Sequence, residues 1–94
     1  MTPPLVREFL AHLAKARDQS PNTIAAYGRD LAQFTEFLDR RHGGRTWEFG
    51  AVDRFTIRAF LGELERRGLA RRSAARTLSA IRSFYRFLHV HHDI

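Results

Sequence analysis

Cysteine is absent from all 94 residues, so disulfides, thiolate metal sites and a cysteine nucleophile are excluded. No uninterrupted apolar run exceeds a few residues, far short of the roughly 20 that a membrane-spanning helix needs, and no signal-peptide pattern is present. The expectation is a cytoplasmic protein with no membrane partner. Lysine is nearly missing, one against fifteen arginines; because base composition can set that ratio, the weight falls on where the arginines sit. There is no sustained two-residue alternation, no hairpin signal, no repeat and no low-complexity segment, which argues against strands and against an extended array. What remains is 44% hydrophobic residues with eight phenylalanines, enough for a modest core in one small domain.

One absence is local. Between Arg66 and His92 the chain reads RRGLARRSAARTLSAIRSFYRFLHVHH, with seven arginines and neither Asp nor Glu. The residues before it carry nine basic and nine acidic side chains and Asp93 follows, so the whole net charge of +6 lies in the last third. Wound as a helix at about 100° per residue, residues 72–88 sort into two faces. Arg72, Arg76, Ser79, Ser83 and Arg86 share one stripe, flanked by Arg82; Ala74, Leu78, Ile81, Phe84, Tyr85 and Leu88 lie opposite. A merely solvated face would interleave carboxylates, since opposite charges at i,i+4 stabilise a helix. Here Arg72/Arg76 and Arg82/Arg86 repel with nothing in the stretch to offset them. Arginine forks suit phosphate oxygens and the guanine edge, and serine suits phosphate or base edges, so nucleic acid is the expected partner.

The rest of the chain reads as three further helices. Thr2 can cap a first one that accepts Pro3 and Pro4 in its opening turn, with Leu5, Phe9, Leu13 and Ala16 on its inner stripe, widened by Val6 and Leu10. After a break at Arg17-Asp18-Gln19, Ser20-Pro21 is a helix start, Ser as N-cap and Pro at the first position. Ile24, Tyr27, Leu31, Phe34 and Leu38 follow at spacings of three and four. Gly28 costs roughly 1 kcal/mol against alanine in that helix unless a close crossing or a ligand needs it. The loop HGGRTWEFGAV contributes Trp47 and Phe49 to the core, and Asp53 caps a third helix with Phe55, Ile57, Phe60, Leu61 and Leu64 buried. Gly68 ends it. The expected helices span about 3–17, 21–41, 54–67 and 71–90 of a single all-α domain.

With the pieces in this order, SPNTIAAYGRDLAQFTEFL resembles the second helix, and RSAARTLSAIRSFYRFL the fourth, of the amino-terminal core-binding domain of tyrosine recombinases, the Xer and phage-integrase family. TWEFGAVDRFTIRAFLGELERRGLARRS is similar to the loop, third helix and turn between them, and the resemblance covers about Leu5 to His92. It implies a SAM-like four-helix bundle whose second and fourth helices enter the major groove of a recombination half-site during DNA integration or recombination. In the family this domain and a carboxy-terminal catalytic domain form a clamp around the duplex. The matching positions are Asn22, Thr23, Ala26 and Arg29 at the start of the second helix, and Arg71, Arg72, Ser73, Arg76, Thr77, Ser79 and Arg82 on the fourth. Arg66, Arg67 and Arg71 are placed for phosphates, which position a protein without reading sequence. Other recombinase protomers on DNA are implied partners, through the first helix. Ala70 departs from the family, which often has a capping polar residue there; Ser73 or solvent then serves those amides.

The resemblance implies chemistry by a tyrosine nucleophile supported by arginines with His and Lys partners, and these are expected in a catalytic domain outside residues 1–94. Tyr27 and Tyr85 both sit on apolar faces and are expected in the core, so no catalytic residue is expected and the chain is read as a non-enzymatic, monomeric domain with no small-molecule substrate. His89, His91 and His92 invite a metal reading, since His89 and His92 can share a helix face at i,i+3 with Asp93 adjacent, but with no fourth ligand evident, no cysteine and a helix terminus for a site, no metal and no cofactor is expected. Glu63 and Glu65 are read as ion-pair partners of Arg66 and Arg67. The alternative function is a SAM-like helical protein–protein interaction module, which would show an exposed apolar patch in place of a basic ridge.

Overall fold

A computed structural model describes residues 2–16 and 19–94, apart from the Ala16 side chain. It contains four α-helices, α1 (Pro4–Ala16), α2 (Pro21–Arg41), α3 (Arg54–Arg66) and α4 (Arg71–His92), with one 3-10 turn, Phe49–Ala51, before α3. The described residues include no strand, so the expected all-α bundle is the architecture found. Of the expected break after α1, Arg17 and Asp18 lie outside the described residues. None of the described helices is long and apolar enough to cross a membrane.

The helix ends follow from short-range chemistry. The Ser20 hydroxyl accepts the Thr23 amide at 3.2 Å with Pro21 behind it, and Asp53 Oδ1 accepts the Thr56 amide at 2.9 Å. Gly43 and Gly68 adopt left-handed φ of +59° and +86° and close α2 and α3. In each case the last amides turn back onto the helix: Gly43 and Gly44 donate to Arg40 and Asp39, and Gly68 and Leu69 donate to Glu65 and Leu64. Thr2 does not cap α1. The Pro3 carbonyl accepts the first amides instead, from Val6 and Arg7, and the Thr2 carbonyl takes Arg7 Nη1 at 2.9 Å. α4 runs two residues past the expected end, stopping where Asp93 turns left-handed at φ 54°.

α4 is the central element, packed against each of the other three. Its Ile81, Phe84, Phe87 and Leu88 meet Val6, Phe9 and Leu13 of α1, Leu31, Phe34 and Leu38 of α2, and Phe60 and Leu64 of α3 in one buried cluster. Aromatic edges organise that cluster: Phe84 meets Phe9 at 5.5 Å and Phe49 at 4.9 Å, and Phe34 meets Phe60 at 5.3 Å. Gly28 marks the α1–α2 crossing, where a methyl group would stand 3.4 Å from Leu10 Cδ1. Phe49 is buried beneath the loop as expected, and half-buried Trp47 donates its indole N–H to Asp39 at 2.7 Å.

One core assignment fails. Phe55 is 60% exposed, because five residues separate it from Phe60 and that turns it about 140° away from the buried stripe. The centre of the α3 face is Phe60 and Leu64, with Ile57 and Leu61 half-buried beside it.

Candidate nucleic-acid interface

The basic ridge lies on the outer side of α4. Arg71, Arg72, Arg76, Ser79, Arg82 and Arg86 are all exposed, Ser73 and Ser83 are half-buried, and the apolar side faces the core. Asn22 and Arg29 of α2 are exposed, with Thr23 and Ala26 half-buried. The Thr23 hydroxyl pairs with the Ser20 hydroxyl at 3.0 Å, so it belongs to the cap as well as to the surface.

What joins the two helices is a residue that sequence reasoning passed over. Asp30 is buried in α2, and its carboxylate accepts both Nε and Nη2 of Arg76 at 2.9 Å each. The fork is therefore parallel and charge-assisted, the strong form of an arginine–carboxylate contact. The Asp30 side chain is 3% exposed and that of Arg76 42%, so the pair spans the boundary between core and ridge. Hydrogen bonding to Asp30 holds the Arg76 guanidinium above the ordinary arginine pKa, against a smaller opposing effect of burial. Of the ridge arginines, Arg76 alone has an ion-pair partner among the described residues. The expectation of wholly uncompensated charge is corrected at this one position: its partner comes from a different helix, 46 residues away.

Thr77 is corrected too. It is 2% exposed, and its hydroxyl donates to the Ser73 carbonyl at 3.0 Å, the i−4 contact by which threonine satisfies itself inside a helix. It is turned into the core, leaving no exposed polar group to offer a ligand. The first turn of α4 carries no side-chain cap: Ala70 supplies only its carbonyl, to the Ala74 amide at 2.9 Å, and Ser73 makes no capping bond. The opening amides thus point outward beside Arg71 and Arg72, where the helix dipole favours an anion.

Neither tyrosine is presented as a nucleophile. Tyr85 donates its hydroxyl to the Phe49 carbonyl at 2.9 Å, and burial pushes its pKa well above the ordinary tyrosine value. Tyr27 packs half-buried against the core cluster. Among the terminal histidines, His92 Nε2 lies 2.9 Å from Glu8 Oε2, and the His91 ring meets His12 at 5.0 Å. The described residues bring no three His, Asp or Glu side chains together in a metal-binding arrangement. Glu63 pairs with Arg67 at 3.0 Å, as its sequence position suggested, and also accepts the Arg40 fork, which ties α2 to α3.

Comparison with known proteins places this arrangement. Residues 6–91 match the family model described as phage integrase, N-terminal SAM-like domain. The chain is 46% identical over 83 residues to the tyrosine recombinase XerC of Roseiflexus castenholzii, a match covering 88% of this chain and 26% of that protein. It is 44% identical over 86 residues to XerC of Chlorobaculum tepidum, with 86% and 25% covered. Against the tyrosine recombinase XerD of Bradyrhizobium diazoefficiens it is 45% identical over 80 residues, with 85% and 24% covered. No solved structure matches. The chain spans about a quarter of the length of these relatives. The chain belongs to the tyrosine recombinase/phage integrase family as an N-terminal SAM-like domain.

Proposed function

We propose that this domain grips one half-site of a recombination locus by laying the outer side of α4 and the first turns of α2 into the major groove. The observation that carries the reading is the α4 ridge: exposed arginines without a carboxylate in their own helix, joined to α2 by the Asp30–Arg76 fork. The roles then divide. Arg71 and the uncapped amides of α4 take phosphate, Arg72, Ser79 and Arg82 face the groove, and Asn22, Ala26 and Arg29 read from the α2 side. Arg76 holds the two helices in register and offers the duplex the N–H groups that Asp30 does not take, those of Nη1 and the second of Nη2.

In this reading the chain performs no strand cleavage itself; a nucleophilic tyrosine belongs to another part of the recombinase. Other protomers bound to the same DNA are its protein partners, the site of action is the cytoplasm, the isolated domain is monomeric, and no cofactor, metal or small-molecule substrate takes part. A lone half-clamp binds weakly, in the range of roughly 10⁻⁴–10⁻⁶ M typical of non-specific contacts at physiological salt.

The test is an NMR titration of the labelled domain with a short duplex at low and then moderate salt. Shifts should cluster on residues 22–29 and 71–86 and fade as salt rises. Arg40→Ala serves as the control, because that fork is spent on Glu63. Equal losses from Arg40→Ala and Arg72→Ala would reduce the interface to diffuse charge attraction.

A further inference from the structure

A second basic feature adjoins the ridge on its α3 side. Between α3 and α4 runs a groove of about 410 Å³ floored by Ile57, Leu61, Leu78 and Tyr85 and edged by Arg54, Arg58 and Arg82. Its lining contains no carboxylate, and none of the three arginines has an ion-pair partner among the described residues. Two of the edge arginines pack on Phe55, 60% exposed, with the guanidinium carbons of Arg54 and Arg58 at 5.3 and 6.0 Å from its ring centre. An adjoining groove of about 630 Å³ shares Arg58, Leu61 and Leu78 and continues toward Arg71 over Gly62, Ala74 and Ala75; Glu65 is the single carboxylate in its lining. The two grooves together follow the 13 residues of α3, a length of about 20 Å at 1.5 Å per residue.

We propose that this groove docks an acidic amphipathic helix of another polypeptide. The apolar floor asks for side chains at i, i+3, i+4 and i+7, the spacing with which a helix fills a groove between two others. The arginine edge asks for Asp or Glu beside that stripe. Small residues at Gly62, Ala74 and Ala75 let a helix backbone approach along the lower half. A duplex meets these demands poorly, being convex and anionic along its whole length, with its thymine methyls recessed in the major groove and no apolar stripe to fill a cleft between helices. Arg54 and Arg58 lie on α3, outside the surface assigned to DNA, whereas Arg82 and Arg71 on the α4 side are shared with it, so the test rests on the two α3 arginines.

The experiment is selection, on the domain, of displayed helical peptides of about sixteen residues, with NMR and affinity measurement of those recovered. Recovered peptides should carry acidic residues flanking an apolar helical stripe and should move the methyl signals of Ile57, Leu61 and Leu78. They should lose about tenfold or more in affinity on Arg58→Glu or Arg54→Glu, both exposed positions where circular dichroism checks the fold, and keep it on Lys15→Glu. Recovery of no peptide above a scrambled background, of peptides lacking the acidic-apolar pattern, or of peptides indifferent to both reversals overturns the proposal. A DNA duplex that moves the same three methyls also overturns it, since the groove would then belong to the nucleic-acid surface.

Discussion

Replacing Arg76 with alanine should damage the fold before it weakens any interface. The Asp30 carboxylate is 3% exposed and accepts two hydrogen bonds at 2.9 Å from one guanidinium. Removing one partner of a fully buried pair costs about 3–5 kcal/mol, because an uncompensated charge stays behind. Arg76 itself is 42% exposed, so its removal opens a path by which water reaches the carboxylate. That lowers the expected cost to about 2–3 kcal/mol, near the price of leaving a charged hydrogen-bonding group unmade. For a domain of this size the shift in Tm is about 10–20 °C. Urea unfolding should show the midpoint falling by about 1–2 M with an unchanged slope. The double variant Asp30→Leu/Arg76→Met removes both charges for apolar groups and should recover most of the loss. A cost below about 0.5 kcal/mol for Arg76→Ala, the range of an ordinary surface change, would refute the reasoning. So would a double variant as unstable as the single one, since the penalty would then not come from a stranded carboxylate.

Arg71→Ala should leave the thermal midpoint in place while weakening duplex binding and lowering the slope of log K against log salt by about 0.9, one phosphate contact's worth; fluorescence anisotropy across a salt series measures it. Thr77→Val, at a position with no exposed polar atom, should leave the same binding curves unchanged. Tyr85→Phe deletes the hydroxyl donated to Phe49 and should cost about 1 kcal/mol in urea unfolding. Because burial raises the folded-state pKa of Tyr85, the unfolded chain ionises first; its contribution is whole below about pH 10 and lost as pH rises beyond it. Alkaline unfolding followed by circular dichroism should therefore begin at lower urea above pH 10 than at pH 8, and Tyr85→Phe should remove that part of the dependence. Ala70→Ser supplies the missing α4 cap and should stabilise by about 1 kcal/mol, a rise of roughly 4–8 °C in Tm by calorimetry.

The helix order was legible because each end carries its own short-range chemistry. Ser20-Pro21, Asp53 and the glycines at 43 and 68 act within four residues of themselves, so they can be read without knowing the tertiary structure. The α4 ridge was legible for a related reason: a charge run needs no partner to be seen. Asp30 was not read because its partner lies on another helix, and an aspartate between Arg29 and Leu31 looks like solvated surface. Yet a signal existed. Four residues before Phe34, Asp30 lies about 40° from it on the helical wheel, inside the apolar stripe, where a charge demands a partner. Thr77 stands in the same relation to Ile81, and the wheel alone places it inward. Phe55 is the converse case, an apolar residue counted as core for its type when its angle pointed out.

The placement of Asp30 answers a problem that the charge of α4 creates. A helix presenting several arginines with no acid of its own repels itself, at Arg72/Arg76 and at Arg82/Arg86. One carboxylate placed under the ridge, not within it, relieves part of that repulsion and leaves the outer surface wholly basic. A glutamate on α4 would have served stability equally well, but it would have put a negative charge toward the duplex. Setting Asp30 in the core of α2 places the anion where phosphate does not meet it and makes the spacing of α2 and α4 depend on the same bond. Alongside the apolar packing of Leu31, Phe34 and Leu38 against α4, this one residue pair then bears both on the geometry of the two helices proposed to enter one groove and on the charge with which they meet it. A change that breaks the pair should therefore alter both, which is why binding by Arg76 variants has to be measured on the folded fraction alone.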